Sequence, residues 1–216
     1  IGIGICGQVY NSEGIISGAE FQISTNYSST ATSVESFNDG GFVVTYNTDE
    51  GLYGQPYNAE VVKSDNEFQI DTVGYNPSVS SFSDGGFVVI YSNNEGLYGQ
   101  VYKSAREKSG TKFQVNTYAS YDQSATSVSS LSDDEFVVTW QINYVIQGQL
   151  YNREGVKVGI AFRVNNYNPS LSSLSDNGFV LTYSNYGGVY GQLYNITGIK
   201  SGTEFQVDTA GYNPSV

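Results

Sequence analysis

Short runs of apolar and aromatic residues fill most of the chain, and they recur in a fixed order. The run Phe87–Tyr91 is apolar at almost every position, whereas in Leu97–Tyr102 large side chains alternate with Gly and Gln. Successive side chains of a strand point to opposite faces, so both faces of these predicted strands carry apolar or aromatic groups. The pattern therefore predicts small sheets that are covered on both sides, as in stacked sheets, and not sheets with one face in water.

Three sequence landmarks define an internal repeat. A Phe that opens a Phe-Gln-Val-type run recurs at spacings of 47, 45, 49 and 43 residues, and a Gly-Gln pair recurs at the same four spacings. The third landmark is a Phe-Val-(Val/Leu) run. The Phe-Gln-Val positions begin at Phe21, Phe68, Phe113, Phe162 and Phe205, the Gly-Gln pairs at Gly7, Gly54, Gly99, Gly148 and Gly191, and the Phe-Val runs at Phe42, Phe87, Phe136 and Phe179. Self-similarity at a fixed period is the signature of a repeat architecture.

Each repeat predicts four short strands. In the second repeat strand A is Ser78–Phe82, and an Asp-Gly turn at Asp84 leads to strand B, Phe87–Tyr91. Strand C is Leu97–Tyr102 and strand D is Lys112–Thr117. Four strands in about 45 residues are typical of a propeller blade. We therefore predict an all-β, β-propeller-like chain of tandem four-stranded antiparallel blade-like repeats, arranged as a ring or as an open helical array.

The repeat also predicts the domain boundaries. Residues 1–30 form a half repeat (strands C and D), and residues 214–216 begin a further one. Four repeats lie between them, at 31–77, 78–124, 125–169 and 170–213. Because the chain begins in strand C and stops in strand A, we expect it to be part of a longer polypeptide. The Gly inside each strand C predicts a close backbone approach near a crowded axis.

The amino-acid composition excludes several classes of function and partner. The chain has nine basic and 21 acidic residues, a net charge of −12, and no His. This charge repels phosphate backbones and argues against a nucleic-acid partner, and the absence of His removes the usual general base and a common metal ligand. No apolar run approaches the ~18 residues of a membrane span. Neutral polar residues cover the expected surface, which is typical of an extracellular or cell-surface protein.

The landmark sequences resemble a known class of repeats. They are Phe-Val-Val-Thr-(Tyr/Trp) at Phe42 and Phe136, Tyr-Gly-Gln-x-Tyr-Asn at Tyr53, Glu-Phe-Gln-Val-x-Thr at Glu204 and Asn-Pro-Ser-Val at Asn76. Together they are similar to tandem repeats of very large secreted or cell-surface proteins, including bacterial adhesin-like and calcium-binding proteins and ciliate surface proteins. The resemblance covers essentially the whole chain and implies propeller-like β units at a cell surface. It implies no catalytic residues.

The chain departs from the repeat pattern at three places. Cys6 and Gln147 stand where other repeats have the Tyr before Gly-Gln, and Asp134-Glu135 replaces the Gly pair before strand B. As the only cysteine, Cys6 forms no intrachain disulfide. We expect a packed thiol in a Tyr position, with an intermolecular bridge as the alternative.

Two Asn-x-Ser/Thr sequons, at Asn26 and Asn195, are candidate glycosylation sites because both fall in expected turns or strand ends. Acidic turns recur at Asp39, Asp84, Asp133 and Asp176. Calcium prefers six to eight oxygen ligands, so these carboxylates are candidate calcium ligands. The favoured interpretation is that each Asp caps the backbone of its own turn, and no cofactor is otherwise expected.

Tyrosine pairs on strand C are candidate ligand-binding residues, since aligned rings could stack on a sugar. Packing between sheets, with the hydroxyl at the rim, is the alternative. The pairs are Tyr53 and Tyr57, Tyr98 and Tyr102, and Tyr190 and Tyr194. The carboxylate pairs Asp49–Glu50 and Asp133–Glu135 lie at non-equivalent repeat positions in polar surroundings, so we interpret them as solvated turns and not as catalytic pairs.

These observations predict a non-catalytic extracellular protein. The first hypothesis is a structural repeat protein that self-associates into, or decorates, a fibre or surface array, because an open repeat array leaves its end strands unpaired. The alternative is a propeller adhesion module that binds glycans or a surface protein through its loops.

Overall fold

A computed structural model describes residues 4–25, 30–116, 126–132, 134–211 and 214–215. All of the regular secondary structure in these ranges is β-strand, which confirms the predicted fold class. The strands are β1 (Ile5–Tyr10), β2 (Ile16–Ser24), β3 (Thr30–Ser36), β4 (Phe42–Thr48), β5 (Gly51–Tyr57), β6 (Phe68–Asp71), β7 (Tyr75–Ser81), β8 (Phe87–Asn93), β9 (Gly96–Tyr102), β10 (Lys108–Asn116), β11 (Ser127–Ser130), β12 (Glu135–Ile142), β13 (Val145–Asn152), β14 (Lys157–Val164), β15 (Tyr167–Ser173), β16 (Phe179–Asn185), β17 (Gly188–Tyr194) and β18 (Lys200–Asp208).

The strands form one two-stranded and four four-stranded sheets, each following chain order. We call the four-stranded sheets blade 1 (β3–β6), blade 2 (β7–β10), blade 3 (β11–β14) and blade 4 (β15–β18); β1 and β2 form the half blade. Every assigned strand pairing is antiparallel, as in β1 with β2 and β12 with β13. The chain divides into two compact units, 1–77 and 78–216, so the division falls inside β7.

Within each unit, the last strand of one sheet packs on the second strand of the next. In the first unit Ile23 of β2 shares a core with Val44 and Tyr46 of β4. In the second unit Val115 of β10 packs with Val138 of β12, and Val164 of β14 packs with residues of β16. The sheets of each unit are therefore stacked face to face, which explains why both faces of strands B and C are apolar.

The Gly of the Gly-Gln pair leaves room for a Phe ring. Gly148 of β13 is directly opposite Phe162 of β14, and a Cβ at position 148 would overlap that ring. The same overlap would arise at Gly7, Gly54, Gly99 and Gly191, each with the Phe of its own sheet. The sequence predicted a close backbone approach near an axis, whereas the space beside each of these glycines is filled by the Phe ring of the neighbouring strand.

The Gln of the pair holds a β-bulge together. The register of β13 against β14 shifts between Gly148 and Leu150, and Gln149 Nε2 donates to the carbonyls of Leu150, at 3.0 Å, and of Val158, at 2.8 Å. The side-chain amides of Gln100 and Gln192 bridge their own strand and strand D in the same way, and Gln55 donates to the carbonyls of Pro56 and of Asp65, which precedes β6. Since a bulge leaves backbone groups without ladder partners, this buried amide satisfies them.

Two predicted strand starts in blade 2 differ from the observed ones. Strand D of blade 2 runs from Lys108 to Asn116, four residues earlier than predicted, because pairing with β9 continues across the bulge at Ser109–Phe113. Strand A begins at Tyr75, three residues before the predicted Ser78.

Candidate ligand-binding clefts

Three of the six strand-C tyrosines that were candidate ligand-binding residues are buried. Tyr57, Tyr102 and Tyr194 are each only 2% exposed. Each ring stacks on the Phe that opens strand B of its own blade, with centroids 4.8–4.9 Å apart. These three rings present no face to a ligand, so the structure favours the packing interpretation for them.

The other three tyrosines of that prediction are half-buried and engaged at the rim. Tyr53 Oη and Tyr190 Oη each accept a hydrogen bond from a glutamine Nε2 at 3.1 Å, from Gln69 and Gln206 respectively. Tyr98 Oη donates to Glu95 Oε2 at 3.2 Å. They therefore brace the hairpin ends of blades 1, 4 and 2.

The acidic turns behave as turn caps where the structure describes them. The carboxylates of Asp39, Asp84 and Asp176 accept hydrogen bonds of 2.9–3.0 Å from the backbone N–H two residues later. Asp133, the fourth candidate, lies outside the described residues. Among the described residues no three His, Cys, Asp or Glu side chains come together in a way that could hold a metal ion.

Asn195 caps the turn that follows β17. Its Oδ1 accepts hydrogen bonds from the backbone N–H groups of Thr197 and Ile199 and from Thr197 Oγ1, at 2.9–3.1 Å. The side chain is exposed, as a glycosylation acceptor must be. The other sequon residue, Asn26, lies outside the described residues.

Cys6 is exposed on β1, so the expectation of a packed thiol is wrong. Cys6 is opposite Gln22, as the equivalent Tyr residues are opposite a strand-D glutamine, but its side chain is shorter and it lies in a two-stranded sheet.

A group of exposed tyrosines was missed by the sequence analysis. Tyr144 (73% exposed) and Tyr186 (96% exposed) occupy the β12–β13 and β16–β17 turns, and Tyr167 begins β15. Tyr167 contacts both rings edge to face, with centroid distances of 6.5 Å to Tyr144 and 6.4 Å to Tyr186. We call these three residues the tyrosine cluster. Glu50 and Glu95 end the equivalent turns of blades 1 and 2, so the signal was a change of residue type at hairpin tips.

The first unit contains a polar cleft of about 450 Å³ between the half blade and blade 1. Tyr46 of β4 and Tyr53 of β5 form one wall, and Lys63, Glu50 and Glu67 supply its charges. Tyr46 Oη donates a hydrogen bond to Glu67. Burial of the Tyr46 ring, together with this carboxylate, raises the pKa of the hydroxyl well above its usual value.

The second unit contains a cleft of about 470 Å³ at the equivalent place, between blades 2 and 3. Trp140 of β12 and Gln147 of β13 occupy the positions of Tyr46 and Tyr53. Lys157 and Arg163 of β14 supply the charges, and no acidic side chain lines this cleft within the described residues. We call the two sites the blade 1 cleft and the blade 3 cleft.

The fold and its clefts define a β-propeller-like module, and the solved structures similar to the chain agree. A protein of unknown function from Bacteroides caccae matches with a TM-score of 0.62 and 10% identity over 90% of this chain and 66% of its own. The Dos1 propeller matches with a TM-score of 0.64 and 12% identity over 95% of this chain and 56% of its own.

A third solved structure, BBS1N in complex with ARL6DN, matches with a TM-score of 0.58 and 14% identity over 90% of this chain and 60% of its own. The chain thus spans between about half and two thirds of the length of these structures. At such identities the likeness concerns the fold alone. No protein-family model and no curated protein matches the chain. No helix in the described residues is long and apolar enough to cross a bilayer.

Proposed function

We propose that the chain is a non-catalytic, glycan-binding adhesion module of an extracellular or cell-surface protein. The observation that carries the proposal is the tyrosine cluster, because exposed aromatic rings in mutual contact are a surface on which a sugar ring can stack. Two of its rings are among the most exposed large apolar side chains in the described residues. Such rings at a surface are typical of binding sites.

The scaffold beneath the cluster supports this role. Tyr144 lies in the two-residue turn between paired strands whose ladder is unbroken from Ile142↔Val145 to Glu135↔Asn152. Tyr186 lies in the equivalent turn of blade 4, which has an unbroken ladder as well. The rings are therefore held on short, rigid hairpins, which limits the entropy lost when a ligand binds.

The non-catalytic part of the proposal rests on the kinds of residue present. The chain has no His, and the side chains of Asp39, Asp84 and Glu95 are engaged as turn caps or hairpin braces. The extracellular location rests on the resemblance to repeats of secreted and surface proteins and on the low content of charged residues, 14%.

A glycan array probed with the 216-residue chain tests the proposal. We expect binding to a defined set of glycans, and we expect Tyr144→Ala together with Tyr186→Ala to abolish most of it. Tyr10→Ala is the matched control, because Tyr10 is another exposed tyrosine (57%) in the first unit. An array without hits, or equal loss in the control, would contradict the proposal.

A second candidate function, a structural fibre or surface array, is favoured by one observation. Phe205 and Val207 of β18 are exposed (43% and 57%), whereas their counterparts in blade 3, Phe162 and Val164, are packed against blade 4. A further blade-like sheet would bury this face, and a second copy could provide it. Sedimentation is the test: the array predicts association that Val207→Asp abolishes and Ile15→Asp does not. A monomer at all concentrations would contradict it.

A further inference from the structure

Several residues at the blade 3 cleft differ from the residues at the equivalent positions of the other blades. In blade 1 the register pairs Tyr46 with Tyr53 and Tyr53 with Gln69. Blades 2 and 4 keep these residue types, as Tyr91, Tyr98 and Gln114, and as Tyr183, Tyr190 and Gln206. In blade 3 the same positions are Trp140, Gln147 and Arg163.

Two further replacements remove acidic groups from the same region. The residue before the strand-D Phe is Glu67 in blade 1 and Glu204 in blade 4, and each accepts a hydrogen bond from the strand-B tyrosine. In blade 3 this residue is Ala161. Glu50, which lines the blade 1 cleft, has Tyr144 as its counterpart.

The replacements change the charge of the cleft. Lys63 in the blade 1 cleft shares it with two glutamates, so the charged groups in that lining sum to −1. Its counterpart Lys157 shares the blade 3 cleft with Arg163 and no acid, so the described lining sums to +2. No carboxylate of the described residues pairs with Lys157 or Arg163. In a chain of net charge −12, two cations in one cleft without an acidic partner among the described residues form a local anion site.

The neutral lining residues offer further hydrogen bonds. Gln114 and Asn116 of β10 and Gln147 of β13 line the cleft, and Asn116 Oδ1 accepts a hydrogen bond from the backbone N–H of Leu97 at 3.3 Å. Trp140, in the wall, is 6% exposed, and its indole N–H has no acceptor among the described residues. An amide can donate or accept, as sugar hydroxyls also can.

We infer that the blade 3 cleft binds the oxyanion, a carboxylate or a sulfate, of an acidic saccharide. This inference deepens the proposed function and rests on it. Arg163 makes charge-assisted hydrogen bonds to the oxyanion, Lys157 adds a second cation, and the amides contact hydroxyl groups. A saccharide is favoured over a free anion because Ile142 lines the cleft and Tyr144 lies two residues further along the same hairpin. A saccharide of several units would place one sugar ring on Tyr144, whose own ring contacts Tyr167 of blade 4, while its acidic group enters the cleft.

Titration calorimetry of the 216-residue chain at low ionic strength tests the inference. The probes are an oligogalacturonate, a sulfated oligosaccharide of similar length, a neutral oligosaccharide, an acidic peptide and inorganic sulfate. We expect an acidic saccharide to bind more tightly than the neutral one, and binding to weaken as salt is added. The better of the two acidic probes identifies the oxyanion.

Three variants locate the site. Arg163→Gln restores the residue of the other blades and should weaken acidic-saccharide binding about tenfold. Lys200→Gln is the matched control: it removes one positive charge at the position in blade 4 that corresponds to Lys157, and it should have no effect. Tyr144→Ala should weaken binding of the saccharide but leave binding of inorganic sulfate unchanged.

Several outcomes would overturn the inference. They are equal loss in Arg163→Gln and Lys200→Gln, no preference for acidic over neutral saccharides, or equal binding of the acidic peptide. If neutral glycans bind and Tyr144→Ala together with Tyr186→Ala abolishes that binding, the proposed function stands while this inference fails. If no saccharide binds at all, both fail.

Discussion

The blade 1 cleft and the blade 3 cleft lie at equivalent places between two sheets, but the charged residues that line them have opposite net charge. Both lie between the last strand of one sheet and the middle strands of the next, and in both a strand-C Gly accommodates a strand-D Phe ring. The blade 1 cleft has a tyrosine wall with two glutamates, and the blade 3 cleft has a tryptophan wall with Lys157 and Arg163 and no acid among its described residues. The Gly and Phe residues that fix the packing of strands C and D are therefore the same in the two blades, whereas the residues of the cleft wall, Tyr46 and Tyr53 in blade 1, are replaced by Trp140 and Gln147 in blade 3.

The first way to sharpen the comparison is alkaline titration, for which we expect the largest effect. Tyr46, in the blade 1 cleft, has a raised pKa because of burial and Glu67, and Trp140 in the other cleft does not ionise. Burial also raises the pKa of Tyr151, and that of Tyr194 to about 12. These groups are protonated in the folded chain above the unfolded-state value of 10.0, at which the unfolded chain begins to ionise.

The contribution of these tyrosines to the stability of the fold is therefore complete below pH 10.0. It is lost as the pH rises through their pKa values in the folded chain. The free energy of unfolding should fall by about 1.4 kcal/mol per unit of pH for each such tyrosine. Tyr46→Trp should make this fall smaller. Tyrosinate absorbance measures the ionisation and circular dichroism the loss of structure, and titration of all tyrosines with a midpoint near pH 10.0 without loss of structure would contradict the burial of these rings.

The second prediction concerns the Gly–Phe pair that the two blades share. Gly148→Ala places a methyl group into the Phe162 ring, so we expect a loss of about 2 kcal/mol in the free energy of unfolding. Gly54→Ala should cost a similar amount, since the overlap is the same in blade 1. Gly110→Ala is the control: it has open space but a φ of +68°, and should cost about 1 kcal/mol. Urea denaturation measures all three, and equal costs would refute the steric role of the ring.

The third prediction concerns the blade 1 cleft alone. Glu67→Ala removes the carboxylate that accepts the hydrogen bond of Tyr46, and should lower the stability by about 1 kcal/mol. It should also lower the pKa of Tyr46, because the carboxylate helps to raise it. Glu60→Ala removes the same charge from an exposed turn and serves as the control.

The smallest effect is expected from an ion pair at the edge of blades 2 and 3. Arg153 Nη1 lies 2.7 Å from Asp84 Oδ2, and its guanidinium lies 4.2 Å above the Phe82 ring. Arg153→Gln should cost about 0.5 kcal/mol, since the pair is partly exposed. Arg153 holds the pKa of Asp84 below its usual 3.8, so the contribution is present above that value and disappears as the pH falls further. A difference between variant and wild type that persists in strong acid would contradict the pairing.

Much of the fold was predictable because each blade repeats its own local signals. Asp84-Gly85 gives the turn before β8, and the alternation in Leu97–Tyr102 gives a strand covered on both faces. The bulge in β10 was not predictable in the same way. It depends on Gln100 reaching the carbonyls of Ser109 and Gly110, which are distant in sequence.

The candidate site was predicted less well. The sequence singled out the tyrosines of strand C, but Tyr102 stacks on Phe87 and is buried. The tyrosine cluster contains Tyr144 and Tyr186, which the sequence analysis did not single out among the 19 tyrosines of the chain. Exposure depends on which ring a neighbouring strand covers, and periodicity within one strand does not contain that information.

The sequence by itself determined the strands, their order and the repeat, because hydrophobic alternation and turn residues act over a few neighbouring positions. Only the tertiary structure decided which landmark residues serve packing and which line a cleft. It joined Gly148 to Phe162 as a steric pair and placed Arg163 beside Lys157 in a cleft with no acid among its described residues. Burial and electrostatic pairing arise between strands that are far apart in the chain, so they are fixed only when the sheets stack.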